Sequence, residues 1–326
     1  MDERPKIALL IPPGRVGDVF TAEALARLER LGRVVRGDGT TDEIAADLPE
    51  LLLDADVAIT GWGAPPIPLE LFGPKLRLVA HAAGSVKRLV PAEAVERGVA
   101  VSHAAHVIAD AVCEYTLALI LLGLRRPHEM DAAMRRGGPW REAAFAGART
   151  LAGRPVGVVG AGYVGRRVIR LLEAFGARIL VHDPYAADLE TLGLEELFAA
   201  AEVVTLHAPI TPETRRMIGA SHLARLRDGG LFVNVARSWL VDQAALLAEL
   251  RTGRFWAALD VFDQEPLPED SPFRSLPNVV ISPHQAGYTR DTYARQGIET
   301  VEEVERHLRG EPLRHRIAPS RFHLMA

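Results

Sequence analysis

Short apolar runs recur along the chain, many of them closed by glycine, proline or an acid, and polar-faced stretches lie between them. The first five runs are KIALLIP, RVVRGD, VAITGW, LRLVAHA and VAVSHA. Six more follow: VGVVGAG, RILVHDP, EVVTLHAP, LFVNVAR, WAALDVF and NVVISPH. Most are apolar at successive positions rather than alternate ones, which suits parallel strands covered on both faces. TAEALARLERLG, TDEIAADLPELLLDA and PAEAVERG place apolar residues at helical spacing between the early runs. Strand and helix alternating in this way predict βαβ units and a doubly wound parallel sheet, here formed twice. The expected class is α/β with two parallel-sheet domains.

IADAVCEYTLALILLGLRRPHEMDAAMRRGG separates the two sets and is read as one long helical segment ending in Gly137 and Gly138 and joining the domains. RDTYARQGIETVEEVERHLRG, after the last run, predicts a final helix that returns to the first domain. The expected division is therefore 1–107 with 288–326 for one domain and 108–287 for the other.

Composition narrows the function classes. A chain of 326 residues with 48% hydrophobic and 25% charged content has ample core for two domains. Its net charge of −4 gives no electrostatic reason to expect a nucleic-acid or acidic-membrane partner. Arg314, His315, Arg316, Arg321 and His323 make the end basic, and read as a solvated tail. One cysteine, Cys113, excludes an intrachain disulfide and multi-cysteine metal sites, and no metal-binding set is read. The apolar run around it holds about ten residues, short of the roughly 20 that span a bilayer. MDERPKIALLIPP lacks the order of a secretory signal, so a cytoplasmic protein is expected.

Chemistry enters at GAGYVG, residues 160–165, after the strand PVGVV and at the start of a helix. Gly160 suits a tight turn, Gly162 a close approach to a pyrophosphate, and Gly165 close packing of helix on strand. The helix start offers unpaired N–H groups and a positive dipole end to phosphates. The next strand ends in Asp183, whose carboxylate suits the adenosine ribose hydroxyls and repels a 2′-phosphate. NAD is expected over NADP.

An enzyme that moves hydride between nicotinamide and a hydroxy or keto acid needs a cation for the carboxylate and a proton donor for the oxygen. That donor must be held in one tautomer. Arg237 closes LFVNVAR, Glu265 lies in DVFDQEP, and His284 sits in SPHQAG. All three follow strand runs. If those strands are neighbours, Arg237 can grip a carboxylate, and Glu265 can orient His284 and stabilise its imidazolium.

GAGYVG with HDP, VNVAR, DVFDQEP and SPHQAG, in this order, resemble the D-isomer-specific 2-hydroxyacid dehydrogenases. ADAVCEYTLALIL and EVVTLHAPITPETRRMI are similar to stretches of the same family. The resemblance implies a flavodoxin-like substrate domain built from both termini and a Rossmann NAD-binding domain that forms a homodimer. It implies Arg237, Glu265 and His284 as the catalytic set, Arg237 and His284 touching the substrate. Asp260 would hold the nicotinamide carboxamide, and Ala236 would border the ring. Tyr163 and Val164 would lie at the pyrophosphate, with His207, Ala208, Pro209 and Thr214 bordering the cofactor. Gly84 and Ser85 would present backbone N–H groups to the substrate carboxylate.

The loop AAGSVKRLV departs from the family's usual GxGxDNID, with Lys87 and Arg88 where Asp and Asn are common. These cations would favour a phosphorylated or dicarboxylic substrate, unless they are simply a solvated pair. Trp239 after Arg237 and Ser238 is a second departure, beside the expected pocket edge. No regulatory domain is expected after residue 326. Phosphite or formate oxidation on the same fold, and an NAD-sensing corepressor-like protein, are the alternatives. Formate dehydrogenases of this fold carry Gln before the proline, so Glu265 speaks against that one.

Overall fold

A computed structural model describes residues 4–138, 140 and 147–324 and divides the chain into two units. One is Met1–Ile108 with Tyr288–Ala326, and the other is Ala109–Gly287.

The eleven apolar runs are the eleven strands. In the first unit these are β1 (Lys6–Leu9), β2 (Arg33–Arg36), β3 (Val57–Thr60), β4 (Leu78–His81) and β5 (Ala100–His103). They pair in parallel in the order β2-β1-β3-β4-β5, the flavodoxin-like winding. Every residue of β3 and β4 is buried, so the sheet carries helices on both faces. Helix starts follow the sequence signals. Thr21 caps Ala22–Leu31, and Thr40 with Glu43 forms a capping box on Thr41–Leu52. Helix Arg290–Leu308 packs on helix Pro13–Val19 because Gly297 has no side chain. A Cβ there would stand 2.1 Å from the Val19 carbonyl oxygen.

The second unit holds β6 (Pro155–Val159), β7 (Arg178–His182), β8 (Val203–Leu206), β9 (Leu231–Asn234), β10 (Trp256–Leu259) and β11 (Val279–Ile281). Their order is β11-β10-β9-β8-β6-β7, all parallel. Alternate residues serve opposite faces. Val159, Val204, Leu206 and Phe232 enter one apolar cluster, and Val156, Val158, Val203 and Val233 the other. Each large side chain buried this way contributes roughly 1.5–3 kcal/mol.

Two expectations are corrected. The segment after β5 is two helices, Ala105–Arg125 and Pro127–Arg135, rather than one. Pro127 lacks the N–H a continuing helix needs and crowds the turn before it. Arg126 takes up the break in the left-handed region, at φ 52°. The first of these helices has 21 residues, longer than its uninterrupted apolar run, and by length and composition it could cross a bilayer. Its Cys113, Leu119, Ile120 and Leu124 are instead core residues of the second unit, and burial raises the Cys113 thiol to about 11.

The basic tail is docked rather than solvated through Ile317. Ile317 N–H donates to the Val101 carbonyl at 2.8 Å, and Arg316 bridges Ser102 in antiparallel fashion. Glu303, only 4% exposed, accepts from the backbone N–H groups of Arg314 and His315 at 2.9 and 3.1 Å. The side chains of Arg321 and His323 lie outside the described residues.

Candidate functional site

The glycine turn joins β6 to helix Tyr163–Ala174. At Gly160, with φ +94°, a Cβ would lie 2.6 Å from the Ala208 nitrogen and 2.8 Å from the His207 oxygen. Only glycine lets the turn pass under the chain leaving β8. At Gly165 a Cβ would fall 1.9 Å from the Gly160 carbonyl oxygen, so the helix rests directly on the turn. Gly162 differs, because a Cβ there meets nothing within 4 Å. That open space stands at the helix N-terminus, where among the described residues no side chain caps the first N–H groups. A pyrophosphate fits such a cradle and supplies the missing acceptors.

Asp183 leaves β7 and spans the same turn. One oxygen accepts from Ala161 N–H at 2.7 Å and the other from Tyr185 N–H at 2.8 Å. Tyr163 is exposed and Val164 half-buried in the first helical turn. After β8, the His207 ring meets the Thr205 hydroxyl at 3.0 Å, and desolvation lowers its pKa to about 3, leaving it neutral. Thr214 closes the following loop by donating to the Pro209 carbonyl at 2.7 Å, next to buried Ala208.

The meeting of the candidate residues follows from strand order. β9, β10 and β11 are adjacent and parallel, so the segments leaving their carboxyl ends carry Arg237, Glu265 and His284 in turn. His284 Nδ1 lies 2.6 Å from Glu265 Oε2. The other oxygen of Glu265 accepts from Phe262 N–H at 2.9 Å, which fixes the carboxylate. His284 itself sits at φ 52°, a left-handed conformation that costs a non-glycine residue energy and persists only where surroundings enforce it. With Nδ1 taken by the acid, Nε2 is the nitrogen left to face a reactant, and the side chain is 43% exposed.

Asp260 is the enforcing group. It is fully buried, and its carboxylate accepts from Ser282 Oγ at 2.5 Å, Gln285 N at 3.0 Å and Ala286 N at 2.9 Å. These donors flank His284 on both sides. The carboxylate marked for the nicotinamide in the sequence thus also braces the loop that carries the imidazole. Asp260→Ala leaves one buried and two partly buried donors without their acceptor, so a stability loss of about 2–4 kcal/mol is expected in urea unfolding. Glu265→Gln, which changes no buried group, should unfold at nearly the wild-type midpoint in the same experiment.

Asn234, the last residue of β9, plays the parallel part for Arg237. Its side chain is buried, accepting from Ala236 N–H and donating to the Arg237 carbonyl, both at 3.0 Å. The sequence reading missed it, and its signal was a polar residue inside the apolar run LFVNVAR. The Arg237 guanidinium donates to the Ala236 carbonyl at 2.7 Å. Glu265 and His284 thus meet directly.

Gly84 and Ser85 belong to the first unit, in the bend after β4, where the Gly84 carbonyl meets His103 Nδ1 at 3.2 Å. Lys87 and Arg88 lie in the turn that follows, half-buried and exposed respectively.

The family model for the D-isomer specific 2-hydroxyacid dehydrogenase, NAD binding domain, matches residues 117–286. A D-3-phosphoglycerate dehydrogenase of Methanocaldococcus jannaschii is 34% identical over 307 residues, covering 91% of this chain and 57% of that protein. The chain thus spans little more than half of that relative's length. A glyoxylate reductase of Korarchaeum cryptofilum is 35% identical over 277 residues, covering 80% of this chain and 82% of the other. Among solved structures, a phosphoglycerate oxidoreductase from Rhizobium etli superposes with a TM-score of 0.81 at 29% identity, covering 97% and 99% of the two chains.

Proposed function

We propose, for a chain that belongs to the D-isomer-specific 2-hydroxyacid dehydrogenase family, that it interconverts a D-2-hydroxy acid and the matching 2-keto acid with NAD. The observation that carries this reading is the 2.6 Å contact of Glu265 with His284 Nδ1, beside Arg237 on the neighbouring strand end. The nicotinamide supplies or accepts the hydride at the carbon bearing the oxygen. Imidazolium His284 donates its Nε2 proton to that oxygen in reduction, and the neutral ring takes it back in oxidation. Glu265 holds the ring with Nδ1–H toward itself and offsets the positive charge while it exists. Arg237 swings from the Ala236 carbonyl to pair with the substrate carboxylate, two N–H groups to two oxygens.

Gly160, Gly162, Tyr163, Val164 and Gly165 form the pyrophosphate cradle in this reading, with Asp183 at the ribose. His207, Ala208, Pro209, Thr214, Ala236 and Asp260 complete the cofactor surroundings, and Gly84 and Ser85 offer backbone N–H groups to the acid. Asp183→Ser removes the charge that repels a 2′-phosphate. The ratio of kcat/KM for NADPH over NADH should then rise at least about tenfold, or about 1.4 kcal/mol. An unchanged ratio would remove Asp183 from cofactor choice.

The test of function is NADH oxidation with glyoxylate, hydroxypyruvate, pyruvate and 2-oxoglutarate. Turnover of at least one, with formation of the D-hydroxy acid, is expected. NADH binding without turnover of any 2-keto acid would leave a sensing protein. The reading also places the protein in the cytoplasm as a homodimer, which fractionation and light scattering check.

A further inference from the structure

His106, Glu299 and His315 are 193 and 16 residues apart in sequence yet form one cluster within the first unit. His106 opens the helix Ala105–Arg125, Glu299 lies in Arg290–Leu308, and His315 belongs to the docked tail. One ligand atom from each lies within 4.8 Å of the other two. His106 Nε2 touches Glu299 Oε2, and His315 Nε2 stands 3.7 Å from the same oxygen. The two rings stack face to face, centroids 3.5 Å apart and planes 13° from parallel.

An ordinary ion pair accounts poorly for this group. The two stacked rings instead converge on a single carboxylate oxygen from two separate chain segments. His106 Nδ1 is buried with no hydrogen-bond partner among the described residues, and such an atom calls for a water or an ion. The same small cavity is lined by Glu303, which is nearly buried and makes no salt bridge among the described residues. Glu299 and Glu303 together bring two carboxylates to the cavity that both imidazoles line. The other oxygen of Glu299 is steadied by Arg295 at 3.7 Å, as outer partners steady a ligating carboxylate.

We propose that His106, Glu299 and His315 form a binding site for a divalent transition-metal ion, Zn2+ by donor chemistry, leaving a fourth position for water. Two imidazoles and a carboxylate are a common zinc donor set, with bonds of about 2.0–2.2 Å and neighbouring ligands roughly 3.4 Å apart. The 3.7 Å pair is already near that spacing. Binding requires the stacked rings to splay about their terminal torsions, which are soft. The bound ion clips three distant chain segments and stabilises the folded state by mass action. The proposal does not depend on the dehydrogenase reading.

The test uses the full-length, tag-free chain, stripped with chelator and titrated with ZnCl2 against a chromophoric zinc competitor. One equivalent should bind and raise Tm. His315→Ala, His106→Asn and Glu299→Gln should each weaken binding at least about a hundredfold and abolish the Tm shift. His128→Ala, outside the cluster, should leave both unchanged. Circular dichroism of each metal-free variant separates lost binding from lost folding. Absence of zinc uptake by the wild type, or uptake that all three folded variants retain, overturns the proposal.

Discussion

Replacing His284 by asparagine is expected to lower kcat by about 10²–10⁴ while leaving NADH binding intact, because a positioned general acid contributes that much and Asn cannot transfer a proton. Asn is chosen because it tolerates the left-handed backbone at φ 52° better than most residues, so the loop keeps its shape. The Asp260 bonds to Ser282, Gln285 and Ala286 do not involve the imidazole and survive the change. Single-turnover measurement with NADH and the best keto acid of the panel isolates the chemical step. A variant that keeps nearly full kcat with unaltered cofactor affinity would show that another group carries the proton. Glu265→Gln should fall between this variant and the wild type, since the ring keeps a hydrogen-bond partner but loses the compensating charge.

Arg237→Ala comes next in size, with kcat/KM expected to fall by about 30- to 4,000-fold, the equivalent of 2–5 kcal/mol for one side of a desolvated charge pair. The loss should extend to every 2-keto acid tested, because the carboxylate is what they share. Arg237→Lys restores charge but not the planar fork, so only part of the activity should return. Equal kcat/KM for the Lys and Ala variants would mean that guanidinium geometry rather than charge matters. A wild-type value for the Ala variant would remove Arg237 from substrate binding.

Most sheet strands were legible because burial on both faces writes itself as uninterrupted apolar runs, and the edge strands β2 and β11 kept short apolar runs although neither has a fully buried residue. The glycine turn was legible too, since Gly160 and Gly165 answer backbone contacts that no other residue permits. Less visible was anything set by long-range company. DVFDQEP and SPHQAG offer an acid and a base, but their 2.6 Å meeting depends on β10 and β11 being neighbours. The bonds of Asp260 to Ser282, Gln285 and Ala286 were hidden because these donors lie more than twenty residues on in the chain. The break at Arg126 was present in the sequence as Pro127, yet the apolar spacing on either side concealed it. The tail looked solvated from its charges, and only the exposed edge of β5 and the buried Glu303 explain why it lies down. His106, Glu299 and His315 had no common signal at all, because tertiary folding alone brings them together.

The side-by-side departure of three segments from β9, β10 and β11 has an evolutionary corollary. One residue added to or removed from the stretch between Asp260 and Glu265 shifts the acid by about 3.3 Å, a full step of extended chain. That step exceeds the whole 2.6 Å separation from its imidazole. Indels in that stretch should therefore be purged in descendants of this gene, and loop-length variation should collect elsewhere in the lineage.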